Sequence, residues 1–480
     1  MIWIAVLLYS LIAIYIGWRS QQKSEDGTEF WTAGQNLGGG SVGLSISAGF
    51  MSVSWSCVYA VQLFYWYGLA GIWLITVPWL LALTGIYFLA KKYRALPAFS
   101  QPEMVGDRFG KRAKQVVAIA LAFVFLVWGG AEIYVAANLL SPQLGLSVSS
   151  TIIGICVVVG IYATMGGFRA VVATDKLQYF IVAVYILVMT WLAIYGLWES
   201  EGRILPDSQT LALKSLRPWT DLVGPGLLTI VIGMIAYLPG WIFETDLWVR
   251  VQAAKNEREA RLGMIIAGGN ALLFVGILPL LIGIIALALF PAINGIAPEI
   301  IGNQGDSIFF ALVQHYAPPW LVLLTAVGLV AAAMSTIDTC ANVMALSIAY
   351  DLLSLHKKAN GKKQSQYITA LVMIAAGIFA LNTESLWDIF YLSGGILTTA
   401  IAFPVAAVFL STVNIRGVTW SAFFGLFGTI TAYFMQASGL LSRIQPQWLN
   451  ETDLAYILWG IVIAVLGYFI GAGLRFPEKK

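Results

Sequence analysis

The chain has 480 residues, of which 59% are hydrophobic and 11% charged, with a formal net charge of +3 and two histidines. A water-soluble domain carries about 25% charged residues, so this composition excludes a soluble globular protein and reads as an all-α polytopic membrane protein. The small net charge leaves no footprint for nucleic acid. The two histidines, His315 and His356, fall in loops and leave no His-based metal or catalytic cluster for the membrane.

Apolar stretches long enough to cross a bilayer predict about thirteen spans, at 1–18, 41–66, 69–90, 115–140, 147–165, 177–198, 222–247, 262–290, 319–350, 367–381, 385–411, 418–440 and 454–474. The first has no basic n-region or cleavage site and reads as a retained helix. With the N-terminus outside, all but four of the 27 Lys and Arg residues fall in inner segments, Arg250 among them, and only Arg203, Lys214, Arg217 and Arg443 stay outside. The positive-inside rule therefore places the N-terminus outside and the C-terminus inside. Loops are short apart from 199–221 and 291–318 outside and 351–366 inside, which leaves no room for a fused enzymatic domain. Cys57, Cys156 and Cys340 lie in apolar segments without metal spacing and read as small core residues.

Two segments are interrupted. Leu37-Gly38-Gly39-Gly40-Ser41-Val42-Gly43 leads into a run holding Ser45, Ser47, Gly49, Ser52, Ser54 and Ser56, a poor helix former. Gly224-Pro225-Gly226 opens a later span that Pro239-Gly240 interrupts again. Paired interruptions in two halves of a chain point to a binding site at mid-membrane, and close packing with a proline kink is the structural alternative. Farther on, Ser335, Thr336, Asp338, Thr339 and Asn342 share one half of a helical circumference inside an apolar run. Small hydroxylated residues serve helix packing, but a carboxylate at that depth costs about 2.5–3.5 kcal/mol unless it is paired, wet or holding a cation. Hydroxyls beside a carboxylate are hard ligands suited to a small hard cation, so this stretch reads as an ion site.

Four motifs in order then resemble the sodium:solute symporter family, which includes sodium-coupled proline, sugar and choline carriers. They are Leu37-Gly38-Gly39, Tyr162-Ala163-Thr164-Met165-Gly166-Gly167-Phe168 followed by Thr174-Asp175, Asp246 to Asn256, and Ala332-Ala333-Met334-Ser335-Thr336-Ile337-Asp338. The resemblance implies a LeuT-type fold. Its two inverted five-helix repeats, at 41–198 and 222–411, would be joined by an outer loop at 199–221. One N-terminal helix within 1–40 would precede them and two C-terminal helices within 412–480 would follow. It also implies a sodium site of the Ala48, Met51 and Ala332 carbonyls with the Ser335 and Thr336 hydroxyls. The match departs at Phe50, where the proline carriers hold an acidic residue. A second ion site would use Asp175, Asp338 and Thr339, unless Asp175 pairs with Lys176 or Arg169. Solute contacts would come from Tyr237, Trp241 and Thr245, spaced as one helix face next to Glu244, with Ser52 and Trp55 opposite. Glu132 is either a further solute contact or a hydrogen-bonded packing carboxylate.

Aromatic faces beside carboxylates lean towards an amino acid or amine as the solute. The expectation is thus a plasma-membrane carrier (inner membrane in a bacterium), not an enzyme. It would use sodium as coupling ion with no other cofactor, and no obligatory protein partner is evident. A proton-coupled carrier of the same fold and a transporter-like solute sensor are the alternatives.

Overall fold

The computed structural model describes residues 2–21, 27–293, 295–302, 304–382, 386–450 and 452–473, and helices make up nearly all of their regular structure. Met1 and residue 474, at the ends of the first and last expected spans, lie outside the described residues. So do Lys23, Arg475, Lys479 and Lys480. A peptide group in hydrocarbon has no water to bond, so an apolar chain must satisfy its backbone within each segment, as a helix does.

Helix α1 (Ile2–Gln21) lies at the periphery. Helices α2 (Gly39–Phe50) and α3 (Val53–Trp73) form one span, broken and bent by 61°. Then come α4 (Thr76–Arg94), the short α5 (Gln101–Phe109), α6 (Lys111–Leu144) and α7 (Val148–Glu201). The second half holds α8 (Leu227–Ile242), α9 (Thr245–Ala253), α10 (Glu257–Leu289), the short α11 (Ile308–Tyr316), α12 (Pro319–Leu352) and α13 (Gly361–Leu381). It closes with α14 (Tyr391–Ala407), α15 (Ile415–Ala437) and α16 (Ala455–Gly473). Among the described residues nine helical stretches are long and apolar enough to span a membrane, with α8 and α9 counted as one, and the broken α2–α3 pair makes ten.

The loop expected between 165 and 177 is absent. Instead α7 turns at one residue, Gly167, with φ 56° and ψ −152°. A side chain there would place its Cβ 2.4 Å from the Phe30 carbonyl oxygen, so only glycine allows both the backbone angle and the approach.

The second interruption also sits elsewhere. Helix α8 continues through Pro239-Gly240 because the Thr398 hydroxyl accepts the Gly240 N–H (3.1 Å) and donates to the Ala236 carbonyl (2.6 Å). One side-chain oxygen thus bridges the hydrogen bond that the proline distorts, a known way of keeping a kinked helix satisfied. The break falls a few residues later, where Phe243 ends α8 and Glu244 is extended (φ −66°, ψ 127°).

Small residues set the close contacts. Cβ atoms built on Gly43 and Gly263 would lie 2.6 Å from Ile266 and 2.5 Å from Val42, so α2 and α10 approach almost backbone to backbone. Helix α12 runs through the middle of the bundle, against α2, α6 and α7.

Candidate functional site

The break between α2 and α3 frees backbone groups at both new ends. On the α2 side, the Ser47 carbonyl takes the Met51 N–H (3.0 Å) and the Phe50 carbonyl takes the Ser56 hydroxyl (2.7 Å). The two carbonyls between them turn to α12. Ser335 Oγ lies 3.0 Å from the Ala48 carbonyl oxygen and 2.9 Å from that of Ala332, and Thr336 Oγ1 donates to the Gly49 carbonyl at 2.9 Å. Four of the five expected sodium ligands therefore stand together at the break. Met51, the fifth, is buried at the C-cap of α2, and Gly49 rather than Met51 faces Thr336.

On the α3 side, the freed amides meet a carboxylate. Glu132 accepts the Val53 N–H (2.7 Å), the Ser54 N–H (3.0 Å) and the Ser54 hydroxyl. It is fully buried, so its carboxylate caps α3 and does not face the cavity. Ser52 begins the same turn by accepting the Trp55 N–H at 2.9 Å.

Behind the oxygen cluster lies a buried arginine. Arg250, on α9, donates to Ser45 Oγ and Thr339 Oγ1 (2.8 Å each), to Asp175 Oδ2 (3.3 Å) and to Asp246 Oδ2 (3.4 Å). Charge placement along the sequence puts Arg250 among the inner-loop cations, beyond the end of its span. In the structure α9 stays inside the bundle and Arg250 is 0% exposed. Asp175 thus pairs with Arg250, not with Lys176 or Arg169, and the Arg169 guanidinium donates to the Ala33 carbonyl instead. The expected second ion site is divided. Asp175 and Thr339 meet at the guanidinium, while Asp338 accepts the Tyr162 hydroxyl at 2.7 Å and the Thr174 hydroxyl at 3.4 Å.

In front of the cluster is a cavity of about 90 Å³. Trp241 is its central wall, edge-on to Trp55 (5.3 Å between ring centroids) and to Trp79 (5.8 Å), and stacked on Tyr237 (5.6 Å). Glu244, Asp246, Ser52, Gly49 and Thr336 also line it. The last two belong to the oxygen cluster as well, so cavity and cluster share a wall. Thr245 does not reach it, because its hydroxyl donates to Gln101 Oε1 at 2.5 Å. The spacing from Tyr237 to Thr245 describes one face only on a continuous helix, and the extended Glu244 rotates the residues beyond it.

The sequence profile of the sodium:solute symporter family matches residues 30–426. The chain belongs to this family. It is 23% identical to mouse sodium/glucose cotransporter 4 over 97% of this chain and 75% of that one. It is 25% identical to the sodium/pantothenate symporter of Haemophilus influenzae over 88% of each. Its fold matches that of a Na⁺-coupled sialic acid symporter in a substrate-bound outward-open state, with a TM-score of 0.71 at 19% identity over 100% of this chain and 98% of that one. These relatives are sodium-coupled membrane transporters and not enzymes, so this symporter is a multi-pass membrane carrier with sodium as its family's coupling ion.

Reasoning from sequence overlooked three parts of this symporter's site: Arg250, Trp79 and Tyr391. Trp79 follows Pro78 near the start of α4, and Tyr391 lies on α14, so neither shares a helix with the solute residues expected from sequence. Arg250 carried a signal, being spaced four residues from Asp246 in a stretch otherwise apolar.

Removing one partner of a buried ion pair costs about 3–5 kcal/mol, because the other charge is stranded. Arg250→Met is therefore expected to lower the melting temperature sharply in detergent, and adding Asp175→Asn should recover part of the loss. An Arg250→Met variant as stable as wild type would contradict the pairing.

Proposed function

We propose that this chain carries a small organic solute into the cell together with sodium, by alternating access. The observation that supports this most is the shared wall: Thr336 and Gly49 belong both to the oxygen cluster and to the aromatic cavity. The ligand set, Ala48, Met51, Ala332, Ser335 and Thr336, is made of neutral carbonyl and hydroxyl oxygens, which suit a hard monovalent cation. A proton needs one basic oxygen and not such a cluster. Sodium bound there ties the end of α2 to α12 and favours the outward-open arrangement that the solute enters, which is a population shift in the ordinary sense. The membrane potential adds about 2.3 kcal/mol per charge for each 100 mV. Arg250 supplies a fixed positive charge beside Asp175, so we assign one sodium to the cluster and none to the Asp175, Asp338 and Thr339 group.

For the solute, Ser52, Trp55, Tyr237, Trp241 and Glu244 form the site, with Trp79 and Tyr391 added. Glu132 and Thr245 are excluded because their polar atoms are engaged elsewhere. The named relatives are carriers of glucose and pantothenate, and the structural relative of sialic acid, so an amino acid or amine finds no support among them. Carboxylate acceptors at Glu244 and Asp246 with aromatic faces above them suit a compact solute rich in hydrogen-bond donors.

The repeats are assigned to 41–198 and 222–411, with 1–40, 199–221 and 412–480 as N-terminal helix, outer loop and C-terminal pair. Each repeat opens with a broken helix and carries a short helix, α5 or α11, between its second and third spans. Counting the two arms of α7 separately and adding α4 and α14 to the ten stretches gives the thirteen expected from hydropathy. The N-terminus is assigned to the outside, in the plasma membrane or the bacterial inner membrane.

In proteoliposomes, uptake from a panel of labelled sugars, polyols, vitamins, sugar acids and amino acids should require a sodium gradient. Ser335→Ala with Thr336→Ala should raise the half-saturating sodium about ten-fold or more, the loss of roughly 1.4 kcal/mol of ion binding. Equal uptake in sodium-free buffer under a proton gradient would favour the proton-coupled carrier, and solute binding without any uptake would favour a sensor.

Orientation is tested by cysteines placed at the exposed positions Ser208, Ile296 and Asn360 after replacing the three native ones. An impermeant thiol reagent added outside intact cells should label the first two and miss the third. Outside labelling at position 360 would reverse the assignment.

A further inference from the structure

A second cavity, of about 190 Å³, opens between α1, α6, the first arm of α7 and α12, away from the solute site. Its mouth is formed by residues exposed on the bundle surface, including Trp3 (50%), Leu7 (59%) and Leu146 (37%). Its floor is formed by Leu329, Ala333 and Met334 on the back of α12, each only 2% exposed. Close-packed interiors do not keep a void of this size without a reason.

The lining says what can fill it. Its hydroxyls are already engaged along their own helices: Ser10 donates to the Val6 carbonyl (2.8 Å), Thr151 to the Ser147 carbonyl (3.0 Å), and Ser150 bonds the Ser147 hydroxyl (2.8 Å). The Trp3 indole N–H is likewise used, on the Leu144 carbonyl at 3.1 Å. The Ser10, Thr151 and Trp3 donors are thus spent and the rest of the lining is almost wholly apolar, and apolar cavities of about 150 Å³ stay dry and accept apolar molecules. Gly154 marks the open space directly, since a Cβ built on it meets no atom within 4 Å. The surrounding solvent at the mouth is the bilayer: α1 turns Ile4, Leu7, Leu8 and Leu11 outward, all at least half exposed.

We infer that this crevice is a binding site for one acyl chain of a membrane phospholipid, which enters between α1 and α7 and lies against Ala333 and Met334. The chain fills the space behind the turn of α12 that carries Ser335 and Thr336, so it braces that turn from the side opposite the ion cluster. The assignment does not depend on which solute or ion the protein carries.

The test uses the purified full-length protein in phosphatidylethanolamine–phosphatidylglycerol vesicles doped with phosphatidylethanolamine carrying a diazirine midway along one acyl chain. After photolysis, peptide mapping should find adducts on 329–334, a segment that meets no bilayer except through the crevice. Adducts should also appear on the exposed face of α16 at Val462, Leu466 and Phe469, which serves as the control. Gly154→Phe should abolish the adducts on 329–334 and leave those on α16 unchanged. Ser150→Phe, at the exposed mouth, gives the same reading if the first variant fails to fold. Absence of adducts on 329–334 in the wild type while α16 is labelled would overturn the site, as would undiminished labelling in a folded variant. Labelling by a diazirine fatty acid but not by the phospholipid would overturn the phospholipid as its source.

Discussion

A helix broken inside hydrocarbon leaves carbonyls at one new end and amides at the other, and neither can turn to water. The rest of this site depends on how those groups are met. At the end of α2 the partial charge is negative, and the Ala48 and Gly49 carbonyls face the hydroxyls of Ser335 and Thr336. At the start of α3 it is positive, and the Glu132 carboxylate takes two amides and a hydroxyl. The helix dipole explains the division of labour: an anion belongs at the amide end, a cation at the carbonyl end. Glu132 thus fixes the amide half of the break with a carboxylate. The carbonyl half meets neutral hydroxyls, and on the proposed reading it is this half that the sodium would engage.

The second break, at Phe243-Glu244, acts through geometry. Helix α8 delivers Tyr237 and Trp241 to the cavity, and the turn after it sends α9 back into the bundle with Arg250. That guanidinium bonds Ser45, Thr339, Asp175 and Asp246 at once, which ties α2, α7, α9 and α12 into one polar knot behind the oxygen cluster. A planar, permanently charged fork suits such a position far better than a lysine would. The cavity between the two breaks borrows one wall from each, and Gly49 and Thr336 of the oxygen cluster are among the residues that line it.

Much of this was legible in the sequence, for physical reasons. Hydropathy announced apolar spans because hydrocarbon tolerates little else, and a carboxylate among hydroxyls at Ser335 to Thr339 announced that Asp338 needs partners, which are the Tyr162 and Thr174 hydroxyls. Glycine and serine placement marked the first break correctly. The second was misplaced because Pro239 looks like an interruption, and nothing near it in sequence reveals that Thr398, on a distant helix, repairs it. Thr245 was misread for the same reason, since a helical face cannot be extrapolated through a break. Arg250 was misread because charge counting treats every cation near a span end as a loop residue. Glu132 stayed ambiguous until its three donors were in view. Tertiary partners, not local pattern, decide each of these cases.

The central claim is that a cation joins the end of α2 to the hydroxyls of α12. Hydrogen–deuterium exchange of the backbone amides over 48–54 and 335–339 reads this directly, with the protein in sodium compared with an equal concentration of potassium. The account predicts slower exchange in sodium over both segments, with α15 and α16 unaffected. Exchange that is the same in the two salts across the break would contradict it.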